Sequence, residues 1–235
     1  MIINDLEVEV LRKNNKNMHL YVLPPNGVIR VSAPQQIDDE TIRLFVLTKI
    51  GWIKSQIKRY KNQTRQSSRE YVSGESHYLW GRRYRLKVVE DTATTGLSII
   101  SNTLTLVIKK GTIKEKRKAI FNKMYRNELK EKIPYLIDLW QKRIGVVVSS
   151  WQIKNMRTKW GTCNIAEKRI WINLQLAKKP IECLEYVIIH ELCHFIQKNH
   201  SRAFSDLMDK YLPGWQAIRK QLNDFIMDAF EEKWT

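Results

Sequence analysis

Five residues near the end of this 235-residue chain, His190-Glu191-Leu192-Cys193-His194, spell the pattern HExxH and constrain the fold more than any other segment. With 5 His and 15 Glu in the chain, chance supplies on the order of 0.01 such matches. On a helix, at about 100° per residue, histidines four apart stand about 40° apart around the axis and one turn apart along it. Both imidazoles can then reach one metal ion. Glu191 stands about 60° from His194, close enough to touch water on that ion without being a ligand. Neutral imidazoles suit zinc, which at catalytic sites keeps one position open for water. Ile181, Leu184, Ile188, Leu192 and Phe195 form an apolar stripe about 150° away from His190, so the helix has a core face as well as a metal face.

A zinc site of this kind needs a third ligand, and His200 is the first candidate. An unbroken helix would point it about 80° off the metal face, so the chain has to leave the helix first. The pattern predicts a helix from Pro180 to about Asn199, with Asn199 as the exit, because asparagine tolerates the left-handed conformation that ends helices. Ser201 can cap a following helix, with Phe204 and Leu207 packed inward. Cys183 lies about 10 Å along the axis from His190, and Cys193 reads as a small buried apolar residue. Asp206 and Asp209 are the fallback ligands.

Upstream, Leu6–Val8–Val10 and Leu20–Val22 alternate as strands do, and Pro24, Pro25, Asn26 and Gly27 mark a turn before Val28–Val31. Asp38 can cap one helix carrying Ile42, Phe45, Val46, Ile50, Ile53 and Ile57. It should end in an exposed loop over Asn62–Glu70. Strand-like segments follow at Tyr78–Trp80, Tyr84–Val89, Leu97–Ile100 and Leu104–Ile108. A long amphipathic helix then runs from Lys114 to Ile144, with Pro134 as a possible kink. Trp151–Asn155 and Arg169–Asn173 read as short strands. No internal repeat or low-complexity tract is visible. The expected class is α+β: an N-terminal antiparallel sheet-rich part with one helix over 1–110, then a mostly helical, zincin-like part with short strands over 111–235, the two sharing one core.

The formal net charge is +17. Residues 1–50 hold 6 basic and 6 acidic side chains and 161–235 hold 10 and 10, whereas 51–110 hold 12 and 4 and 111–160 hold 13 and 4. The excess therefore lies in 51–160, either as an ordinary solvated face or as a surface for an anionic partner such as a nucleotide or nucleic acid. Trp52, Tyr60, Tyr71, Tyr78 and Trp80 lie among those charges. No apolar run approaches the roughly 20 residues needed to span a bilayer. The acidic start, with Asp5, Glu7 and Glu9, does not read as a signal peptide. Three cysteines are too few for a secreted disulfide framework, so a cytoplasmic protein with no membrane partner is expected.

Several segments resemble the bacterial YgjP-like zinc metallopeptidases, distantly similar to SprT-type proteases. They are MRTKWGTC over 156–163, RIWIN over 169–173, YVIIHELCH over 186–194, NHSRAF over 199–204, and the upstream Trp52-Ile53 and Tyr78-Leu79-Trp80-Gly81. The resemblance implies one zinc ion per chain held by His190, His194 and His200, with Glu191 as catalytic base. It also marks Lys159, Trp160, Gly161 and Thr162 as an element near the metal where a strand edge could receive an extended substrate. Arg157 and Lys159 are candidates for stabilising an oxyanion, on their charge alone. Gln197 stands where metzincins carry a glycine between the second and third histidines. The implied reaction is metal-assisted hydrolysis of an amide in a peptide or protein. Two alternatives are hydrolysis of a nucleotide phosphoanhydride, and a nucleic-acid-binding protein with structural zinc. A protease acting on nucleic-acid-bound proteins would combine the readings.

Overall fold

The computed structural model describes residues 1–23, 27–62, 69–91, 94–156 and 159–224. The chain divides into two compact units between Ser68 and Arg69, not near residue 110. The physical reason is that the strands after residue 75 bury their apolar faces with the long helix after 113, in a core separate from that of the first unit.

In the first unit, β1 (Ile2–Ile3), β2 (Leu6–Lys13), β3 (His19–Leu23) and β4 (Val28–Pro34) form a sheet in the order β1-β2-β4-β3. The expected antiparallel sheet is mixed, since β2 and β4 run parallel at its centre. Two helices follow, α1 (Asp39–Thr48) and α2 (Ile50–Asn62), where one was expected; the break falls at Lys49. Asp38 caps α1 by accepting from Thr41 N at 2.6 Å, a bond contributing about 1 kcal/mol. Ile42, Val46 and Ile53 join Val8, Ile29 and Val31 in this core. The Pro24–Asn26 turn and most of the loop after Asn62 lie outside the described residues.

The second unit opens with β5 (Ser76–Leu79), β6 (Arg82–Glu90), β7 (Gly96–Ile100) and β8 (Thr103–Ile108), in the order β5-β6-β8-β7 with β6 and β8 parallel. This repeats the topology of the first sheet strand for strand, with no repeat visible in the sequence. Ile3 and Leu6 flank a two-residue turn with positive φ at Asn4 and Asp5, and Leu79 and Arg82 flank the same turn at Trp80 and Gly81. Val10 pairs with Val31 as Leu86 pairs with Leu104.

The helix α3 (Lys114–Ile144) packs Phe121, Tyr125 and Leu129 into the core shared with this second sheet. It runs through Pro134 as one element and ends at Gly145, whose φ of 80° is the left-handed conformation glycine adopts freely. Then come β9 (Ser150–Lys154), β10 (Gly161–Asn164) and β11 (Arg169–Asn173), in the order β10-β11-β9. A 3-10 turn (Leu174–Lys178) leads into α4 (Ile181–Cys193), and α5 (Arg202–Tyr211) and α6 (Trp215–Asp224) complete the unit. The Trp80–Gly81 turn anchors the entry to α4: Trp80 N donates to Ala177 O at 2.8 Å, and a Cβ on Gly81 would meet Pro180 Cγ at 2.9 Å. The α+β class, with sheets before helices, is the observed architecture.

Candidate metal centre

The helix α4 carries His190 and Glu191, and His194 is its C-cap. Leu184, Ile188 and Leu192 are buried as the apolar stripe predicts. Val187, Ile189 and Cys193 are buried too, so α4 is enclosed on most of its circumference. The helix stops about six residues before the expected exit at Asn199. At the stop the backbone bonds tighten to three-residue spacing, Phe195 N donating to Leu192 O at 3.0 Å and Ile196 N to Cys193 O at 3.1 Å, and the Gln197 carbonyl comes to lie 3.1 Å from His194 Nδ1. Donation by Nδ1–H to that carbonyl leaves His194 Nε2 as a bare lone pair.

The chain then brings His200 over the helix. His200 Nε2 lies 3.0 Å from His190 Nε2, and His194 Nε2 lies 3.2 Å from the same atom. The three histidines are the metal-capable cluster among the described residues. Phe204, buried on α5, is the floor beneath them, with ring centroids 4.9, 4.6 and 4.8 Å from His190, His194 and His200. Ser201 stands at the N-cap of α5, but its hydroxyl accepts from the Gln197 side-chain amide at 3.0 Å and makes no backbone cap bond. Phe204 and Met208 are the fully buried residues of α5, and Leu207, half-buried, packs against the same core as expected.

The donor set suits a tetrahedral cation by its chemistry and, for the two pairs made by His190, by spacing: two nitrogens each about 2.0–2.1 Å from zinc stand about 3.3 Å apart at the tetrahedral angle, against 3.0 and 3.2 Å here, with all three ligand atoms within 4.8 Å of one another. Burial, followed by the charges of His194, His200 and Arg219, pushes the His190 pKa down to about 3. Its imidazole is therefore neutral and available as a ligand at physiological pH. Burial also lowers the His194 pKa. His190 Nδ1 is buried without a hydrogen-bond partner among the described residues. The fallback carboxylates are elsewhere: Asp209 accepts from Trp215 Nε1 at 2.9 Å and Gln216 Nε2 at 3.0 Å, and Asp206 is not in the cluster.

Glu191 is 5% exposed. Burial raises its pKa to about 7, against the opposing pull of a Cys163 hydrogen bond and the Lys159 charge. A divalent cation nearby would draw that value down again. The carboxylate lies flat on β10: a Cβ on Gly161 would meet Glu191 Oε1 at 2.6 Å and Val187 Cγ1 at 2.7 Å. Glycine here is a requirement of close approach, since φ is ordinary.

Lys159, Trp160, Gly161 and Thr162 line one cavity of about 520 Å³ together with the three histidines and Glu191. Arg157 lies outside the described residues. Sequence reasoning missed β10, and it missed Tyr186, Lys198 and Arg219, which line the same cavity. It also missed Asn173, fully buried, whose Nδ2 donates to Lys159 O at 2.7 Å and Met156 O at 2.8 Å, and whose Oδ1 accepts from Gln175 N at 3.1 Å. Asn173 N also donates to Trp160 O at 2.9 Å. One side chain thus pins the segment that carries Lys159 and Trp160 to the site. An asparagine ending an apolar strand was its only signal.

The sequence model of the YgjP-like metallopeptidase domain matches residues 16–225. The chain belongs to the YgjP-like metallopeptidase family. It is accordingly a metallopeptidase-like hydrolase, and the family implies a metal and a peptide or protein substrate. Nothing in the comparisons supports a nucleic-acid partner. No curated protein matches the YgjP-like chain. Two solved structures resemble part of it: the metallopeptidase zymogen abylysin of Pyrococcus abyssi, 19% identical, covering 38% of this chain and 90% of that one at a TM-score of 0.36; and the metallopeptidase zymogen jannalysin of Methanocaldococcus jannaschii, 23% identical, covering 39% and 94% at 0.36. No described helix is long and apolar enough to cross a membrane.

Proposed function

We propose that this YgjP-like chain is a zinc-dependent peptidase in which His190, His194 and His200 hold one zinc ion through their Nε2 atoms and Glu191 is the general base. The observation that carries the reading is the convergence of three imidazole nitrogens within 4.8 Å of one another, beside a buried carboxylate. Zinc bound there supplies Lewis acidity, polarising a substrate carbonyl and bringing the pKa of a coordinated water toward about 7. Glu191, packed against Gly161, takes the proton from the attacking water and delivers it to the departing amine nitrogen. Its burial beside the histidines keeps bulk water from competing for that proton.

Strand β10 is the edge of its sheet, pairing with β11 on one side only among the described residues. An extended peptide added along that edge would lie beside Glu191, with Lys159, Trp160, Gly161 and Thr162 as its backbone and side-chain contacts. Arg157 keeps its proposed substrate role on its position in the sequence. The three cysteines are free thiols, which suits a reducing cytoplasm.

The test compares purified zinc-loaded protein with Glu191→Gln on casein-type peptides and on nucleoside triphosphates. The reading expects peptide cleavage by wild type, reduced at least 10³-fold in the variant with zinc retained. Triphosphate hydrolysis without peptide cleavage would replace the peptidase reading with the phosphoanhydride alternative.

A further inference from the structure

The walls of the metal cavity carry three cations and one anion. Lys159 precedes β10, Lys198 lies in the loop between α4 and α5, and Arg219 projects from α6; Glu191 is the acidic lining residue. None of the three cations has an ion-pair partner among the described residues. Unpaired cations are ordinary on open surface, but these come from three separate elements and surround one concavity next to the reacting groups.

Arg219 is the best placed of them. Its guanidinium carbon sits 5.9 Å from the Trp215 ring centroid. Trp215 in turn stacks on Tyr186 at 6.2 Å with an interplanar angle of 4°, and its indole N–H is fixed on Asp209. Tyr186 lies one turn before His190 on α4, with the two rings 5.7 Å apart. The aromatic stack therefore seats a planar cation beside the metal histidines.

We infer that this cavity selects peptides bearing a carboxylate within a residue or two of the scissile bond, received by Arg219 with Lys159 and Lys198 on the flanking walls. The inference rests on the peptidase reading above and narrows its substrate class. A guanidinium presents two parallel N–H donors that match a carboxylate, whereas lysines add charge without fixed geometry. The carboxylate can be an Asp or Glu side chain or the C-terminus of the peptide, since both offer the same oxygens. A lysine or arginine side chain in that place would face three like charges.

The experiment uses zinc-loaded full-length Glu191→Gln, which binds without turnover, and four labelled peptides alike except for Glu or Gln near the scissile position and a free or amidated C-terminus. Fluorescence anisotropy is read at low and high salt. The carboxylate-bearing peptides are expected to bind at least tenfold tighter than the neutral one, with the gap narrowing in salt. Comparison of the free-acid and amide series tells which source of carboxylate is preferred. Adding Arg219→Gln should bring the ratio near one, and Arg219→Glu should favour a Lys peptide. Lys198→Gln, in a loop, is the second variant if α6 substitutions unfold the protein, and should lower the ratio by severalfold. Affinities within twofold across the four peptides, or tighter binding of a nucleoside triphosphate than of any peptide, would overturn the inference. Equal cleavage of all four peptides by wild type removes the selectivity and leaves the peptidase reading standing, whereas cleavage of none removes the peptidase reading itself.

Discussion

Adding one methyl group at Gly161 is the sharpest probe of how the general base is held. An alanine Cβ there would lie 2.6 Å from Glu191 Oε1, 2.7 Å from Val187 Cγ1 and 2.9 Å from Glu191 Cγ. Ordinary contact begins near 3.4 Å, so the carboxylate or the strand has to give way by about 0.8 Å. Val187, whose Cγ1 the same methyl would meet, is buried on the same helix and has little room of its own. A misplacement of about 1 Å at a reacting group costs about 10²-fold in rate, equivalent to about 2.7 kcal/mol of transition-state stabilisation. Overpacking also costs folding stability, about 1–3 kcal/mol. The three atoms nearest the methyl belong to Glu191 and Val187 rather than to a histidine, so zinc content should stay at the wild-type level. The assay is kcat/KM on a cleaved peptide beside zinc content and thermal unfolding. The expected triad is activity down about 100-fold, zinc unchanged and Tm lowered by a few degrees. Activity within threefold of wild type would show that Glu191 is not held against β10 as described, or that its position does not matter.

Asn173→Ala strips several backbone hydrogen bonds from the segment before β10; at about 1 kcal/mol each, denaturant unfolding should show a loss of about 3 kcal/mol. His77 is buried, and desolvation, followed by the Arg69 charge, lowers its pKa to about 4 against the pull of Glu75. The fold therefore prefers neutral His77, and stability present above the unfolded pKa of about 6.5 is lost as pH falls toward 4, by up to about 3 kcal/mol. His77→Phe, packed on Tyr71 and Phe121, should lose that much less between pH 6.5 and 4 in urea titrations; identical pH profiles would refute the assignment. Gly81→Ala, with φ at 77° and Pro180 Cγ at 2.9 Å from the new Cβ, should lower Tm by several degrees without altering zinc content.

The two histidines of α4 and the buried stripe behind them were legible because helical spacing is a local property. The helix end was not, because no glycine or proline stands just after Cys193 to mark it, and the Phe204 ring that lies against all three histidines comes from the next helix. Likewise β10 has no alternating apolar residues, each of its four positions being half-buried, and it is a strand only through its pairing with β11. The repeated four-strand unit escaped because topology is conserved between its copies while the loops differ. The two-residue turn at Ser101–Asn102 stands where the first copy has a longer connection around Gly27. Arg219 lies 29 residues beyond His190, and only the packing of α6 on α4 returns it to the site.

The most direct test of the central claim is the elemental metal content of purified wild type beside His200→Ala. The account predicts about one zinc per wild-type chain and a variant that has lost it or holds it far more weakly. Full zinc in His200→Ala, or a wild type that stays metal-free after zinc supplementation, would contradict it.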